Sequence, residues 1–142
     1  MTREYISVKL KQQVFDQAQG KCEYCCSQTK YSPTNFEIEH IIPVSRGGGT
    51  VLENLALACR TCNSYKASRI EGIDLVSKQI TLLYHPRLMD WQVHFTWSDD
   101  TLLMLGLTPI GRVTISLLDT NREGIINLRE LLKSIGKHPP TM

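Results

Sequence analysis

The sequence predicts an α+β chain: a small strand-and-helix core closed by four cysteines over residues 1–72, then a β-hairpin and one or two helices over residues 73–142. Three observations carry this reading. Two Cys-x-x-Cys pairs, Cys22/Cys25 and Cys59/Cys62, stand at metal-ligand spacing with 33 residues between them. Apolar residues recur at helical spacing near both ends of the chain and alternate strictly around Trp91. The cysteines end at Cys62, and the pattern changes after Gly72.

Each element has a local reason. Residues 7–19 read as a helix with Ser7 as N-cap, an apolar stripe of Leu10, Val14, Phe15 and Ala18, and Gly20 as the terminating glycine. A polar loop with Pro33 follows the first cysteine pair. Residues 36–43 have strand character, and Gly47, Gly48 and Gly49 make a turn rather than a phosphate cradle, because no Gly-Lys-Ser/Thr follows. Residues 63–70 read as a helix with Asn63, Lys66, Ala67 and Ile70 on one face. The alternation Trp91, Val93, Phe95, Trp97 predicts a strand whose stripe faces the core, and residues 101–107 predict its return partner. Thr108-Pro109 opens a helix to about Leu118, and residues 121–135 form another, stopped by Gly136.

The net charge of +2 does not announce a nucleic-acid binder, so any such contact needs a local patch. No apolar run is long enough to span a membrane, and the opening residues lack a secretory h-region. A cytoplasmic location is therefore expected. Thiols stay reduced there, and paired cysteines read as metal ligands before disulfides.

Cys22, Cys25, Cys59 and Cys62 make a closed four-sulfur set with no open position for water, which suits a structural Zn²⁺. Cys26 is a fifth cysteine in the same turn, set aside because the two-residue spacer repeats in the second pair. The zinc set leaves Glu39, His40 and Asn63 without a role. Carboxylate and amide oxygens suit a hard ion such as Mg²⁺ or Mn²⁺, and a neutral imidazole beside it can take a proton from an attacking water. Together they point to phosphodiester hydrolysis.

The order Cys22-x-x-Cys25, Glu39-His40-Ile-Ile-Pro43, the glycine run, Asn54-Leu55 and Cys59-x-x-Cys62-Asn63-x-x-Lys66 resembles the HNH endonucleases over about residues 20–70. The resemblance implies a ββα-metal fold, two strands and a helix around one divalent ion, and DNA as substrate. It implies His40 as general base and Glu39 as metal ligand, where the family often has Asp. Asn63 stands for the second histidine, as the other ligand. Asn54 is the motif's middle asparagine, a residue of the catalytic region that resembles a loop-fixing group. In a regular strand Glu39 and His40 point to opposite faces, so sharing one ion needs a bend or bulge. Otherwise Glu37, on the same face as Glu39, assists or replaces it. Lys66, Arg69 and Arg46 are the candidate phosphate contacts, with Arg60 nearby. The sequence does not decide between a monomer and a homodimer.

Overall fold

The computed structural model describes residues 5–142. Residues 1–4, read above as part of an opening without a leader, lie outside it. Helix α1 (Val8–Ala18) starts where the Ser7 hydroxyl accepts the Leu10 N–H at 3.1 Å, and it ends with Gln19 and Gly20 both left-handed. Val14 and Ala18 are buried, whereas Phe15, expected in the same stripe, is 40% exposed.

Strands β1 (Glu37–His40) and β2 (Leu55–Ala58) pair antiparallel, with Glu39 opposite Ala56 and His40 opposite Leu55. The register is regular, so side chains alternate between two faces. Leu55, Leu57 and Ile38 pack with α1 on one face, while Ala56 and Ala58 join the cysteine cluster on the other. Helix α2 (Arg60–Lys66) covers the cysteine side, and its N-cap is Cys59, whose sulfur accepts the Cys62 N–H at 3.4 Å. The ββα order is therefore present. The helix is shorter than the sequence pattern predicts, because Ala67 takes φ 48°, ψ −126° and turns the chain away, leaving Arg69 outside it.

After α2 the core continues without interruption. Cys22, Cys25, Cys59 and Cys62 share one buried cluster with Tyr84, Phe95, Met104, Val113, Leu118 and Ile125. The change of pattern at Gly72 marks new elements around the same core, where the sequence had placed the start of an extension. A hairpin that the sequence reading did not single out, β3 (Glu71–Ile73) with β4 (Ile80–Leu82), lies against the helix α4 (Pro109–Leu118). Gly72 permits this approach, since a Cβ there would meet the Leu117 side chain at 2.5 Å.

The Trp91 stretch corrects the sequence reading. Its first four residues form a helical turn, α3 (Trp91–His94), and only Phe95–Trp97 is strand, β5. Trp91 and Phe95 are in register for a helix (i, i+4) as well as for a strand, and their rings pack 5.4 Å apart, while Val93, expected to face inward, is 56% exposed. Strand β5 pairs with β6 (Met104–Gly106), as the hairpin expectation required. Thr108 caps α4 by accepting the Gly111 N–H at 3.1 Å, and α5 (Glu123–Ser134) follows. Among the described residues no helix is long and apolar enough to cross a membrane.

Candidate metal centre and active site

The four cysteines of the two pairs converge from opposite ends of the ββα unit, and their sulfurs all lie within 4.8 Å of one another. None is in a disulfide. The Cys25 and Cys59 sulfurs are 3.7 Å apart, too far for a disulfide bond and close to the edge of about 3.8 Å that 2.3 Å Zn–S bonds give a tetrahedron. All four are buried, so the set fits a structural Zn²⁺.

Donors surround this centre. The Ser27 hydroxyl lies 3.1 Å from the Cys25 sulfur, and Arg122, at the start of α5, places its guanidinium 3.3 Å from the Cys59 sulfur and 3.7 Å from that of Cys62. Arg129 donates to the Cys25 carbonyl at 3.3 Å. Groups of this kind orient thiolate ligands and offset their charge. Cys26 stays outside the cluster, and burial pushes its thiol well up, which keeps it protonated.

Glu39 points to the same side of the ribbon. Its side chain is 5% exposed, it accepts a hydrogen bond from the Tyr24 hydroxyl, and its other oxygen lies 3.0 Å from the Lys66 ammonium. That ammonium also donates to the carbonyls of Ile41 at 2.8 Å and His40 at 3.4 Å. Burial pushes the Glu39 carboxyl up, opposed by the Lys66 ammonium and the Tyr24 hydroxyl. Lys66 is therefore an internal cation with 1% of its side chain exposed. The expectation that it grips phosphate is corrected, because no solvent-side face is left to it.

Asn63 sits one turn before Lys66 on α2, half-buried, and among the described residues its side chain makes no hydrogen bond. His40 departs from the other face of β1, half-buried, with Nε2 2.9 Å from the Thr50 hydroxyl. The bend that would turn Glu39 and His40 to one ion is missing, because the ladder stays in register through both residues. No hydrogen bond links His40 to Glu39 or Asn63. Glu37 is exposed at the start of β1, away from the buried pair. The carboxylate and amide suit a hard cation in their chemistry, but as folded both Glu39 oxygens are already engaged, one of them by a cation of the protein itself.

Asn54 has the loop-fixing geometry. Its Oδ1 accepts the Ile42 N–H at 2.8 Å, while Nδ2 donates to the carbonyls of Ile42 at 3.0 Å and Gly49 at 2.9 Å. This clamps the loop that carries Thr50 to the end of β1. Gly48 is required there, since a Cβ would stand 1.8 Å from the Ile42 carbonyl oxygen. Arg46 is exposed on the turn Val44–Arg46, Arg60 is exposed at the start of α2, and Arg69 is exposed beyond the end of that helix. Three partners escaped the sequence reading. Tyr24 was visible only as a spacer inside the first cysteine pair, Thr50 as a loop residue, and Arg122 carries no local signal.

Residues 22–69 match the family model described as HNH endonuclease. No curated protein matches the chain. The match covers both cysteine pairs, β1, the clamped loop, β2 and α2, and it ties this unit to nuclease or nucleic-acid-binding function. Residues 22–69 are therefore similar to an HNH endonuclease domain, and their four clustered cysteines fit the variant that carries a zinc knot.

Proposed function

We propose that the protein is a metal-dependent endonuclease that hydrolyses phosphodiester bonds of DNA, with His40 as the general base. The observation that carries this is the half-buried His40 imidazole, held by Thr50 at the edge of an HNH unit. When Nε2–H donates to the Thr50 hydroxyl, the ring is the tautomer whose Nδ1 keeps its lone pair. Nδ1 then takes the proton as a water attacks phosphorus. Asn54 holds the loop that orients Thr50, and through it the ring. Arg46 and Arg69, both exposed, contact the DNA backbone.

Glu39 and Asn63 are the residues that would hold a Mg²⁺ or Mn²⁺ ion, the carboxylate only after Lys66 leaves it. Such an ion would neutralise charge building on the phosphoryl oxygens. The Glu39–Lys66 pair favours a second reading, a nucleic-acid-binding module with a closed carboxylate and no cleavage.

Plasmid nicking in Mg²⁺ or Mn²⁺ by the wild type, His40→Ala and Asn63→Ala separates the two. Cleavage by the wild type, abolished in His40→Ala and strongly reduced in Asn63→Ala, is the expected result. Equal cutting by the variants removes the residue assignments. A wild type that binds DNA and never cuts it replaces the nuclease reading with the binding one.

A further inference from the structure

The Lys66 ammonium stands in a finished cation site. Its acceptors are all oxygens: the Glu39 carboxylate at 3.0 Å, the Ile41 carbonyl at 2.8 Å and the His40 carbonyl at 3.4 Å. The second carboxylate oxygen is held by the fully buried Tyr24 hydroxyl, so Glu39 is oriented from both sides. Oxygen ligands around one positive charge are also what a hard divalent ion takes. Lys66 closes the last turn of α2, and the next residue, Ala67, takes φ 48°, ψ −126°, a region that strains any residue with a Cβ. The turn that delivers the ammonium is thus the one with backbone strain to release.

We propose that Lys66 is a tethered cation that competes with the divalent ion for Glu39, so that ion binding requires the end of α2 to withdraw the ammonium. The inference rests on the nuclease reading and adds its regulation: the site is closed to the ion until Lys66 leaves. Removing the lysine charge leaves Glu39 a buried carboxylate without a cation, which an ion from solution then supplies.

The magnitude follows from populations. If the lysine-withdrawn state is populated at about 1–10%, the wild-type affinity is reduced by the same fraction, and removing Lys66 tightens binding on the order of 10–100-fold. The test titrates Mn²⁺ into the full, zinc-loaded chain and reads free Mn²⁺ by electron paramagnetic resonance, with thermal melting alongside. Lys66→Met is expected to bind Mn²⁺ on the order of 10–100-fold more tightly than the wild type and to gain more melting temperature from it. Lys66→Met combined with Glu39→Gln is expected to lose that gain. Lys66→Gln gives the same reading should Lys66→Met fail to fold.

Unchanged or weaker Mn²⁺ affinity in both lysine variants overturns the competition, as does a gain that persists with Glu39→Gln. DNA cleavage by the wild type in the same buffers keeps the two failures apart. A wild type that cuts, with lysine variants that bind no tighter, sinks the competition alone. A wild type that never cuts, with lysine variants that bind Mn²⁺ more tightly, sinks the nuclease reading alone.

Discussion

Arg122 is expected to hold zinc in the knot although it is no ligand and lies 60 residues beyond Cys62. Four thiolates around Zn²⁺ carry a net charge of about −2 in a buried centre. Arg122 places one guanidinium against it, 3.3 Å from the Cys59 sulfur and 3.7 Å from the Cys62 sulfur, and anchors the same group on the Asp119 carbonyl at 3.2 Å. Loss of an outer partner of this kind typically weakens metal binding about 10–100-fold, or about 1.4–2.8 kcal/mol. Arg122 is half-buried, so solvent screening places the effect near the lower end, about tenfold for Arg122→Ala.

The assay is competition against a chromophoric zinc chelator, read both as affinity and as release rate. Arg122→Lys, which keeps a charge but loses the fork, should fall between the wild type and Arg122→Ala. Zinc held by Arg122→Ala as tightly and as long as by the wild type would refute the reasoning, and Arg122 would then be a packing residue of α5.

Two further outcomes follow from the geometry. Asn54→Ala removes three side-chain hydrogen bonds, two to Ile42 just after β1 and one to Gly49 of the glycine loop, and should cost about 2–3 kcal/mol in denaturant unfolding; a change under about 0.5 kcal/mol would deny the clamp. The Arg112 guanidinium, with Ser77, holds the Asp74 carboxyl well below the usual carboxylate range. A depressed folded value contributes stability above the unfolded pKa of ~3.9 and loses it as pH falls towards the folded one. Asp74→Asn should therefore melt lower than the wild type at pH ~7, with the gap narrowing below pH ~4, and a gap that stays constant with pH would contradict this.

Much of the site was readable from residues close in sequence. A two-residue spacer aims two sulfurs at one ion wherever it occurs, so the zinc set could be chosen, and Cys26 set aside, without coordinates. Ser7 and Thr108 cap their helices because a cap is a three-residue interaction. The Trp91 stretch failed for a related reason: Trp91 and Phe95 satisfy both periods, and only the exposure of Val93 shows which one the core used. The β3–β4 hairpin left little trace, since its strands are three residues long and Ile73, Ile80 and Leu82 remain exposed.

The order of the HNH motifs, the zinc ligands and the helix caps were settled by the chain itself, since each depends on side chains a few residues apart. Which partners each charged group meets was decided by packing. Lys66 reads as a phosphate contact on a helix face until α2 ends at Ala67 and sets its ammonium on Glu39 and two carbonyls. Arg122 carries no local signal in the sequence, and α5 lays it on the cysteine sulfurs. The energy of a charge depends on which partners surround it and how far water is excluded, and for Glu39 those partners come from Tyr24, 15 residues before it, and Lys66, 27 residues after it. Such distances carry no period or spacer, so only the folded chain reveals them.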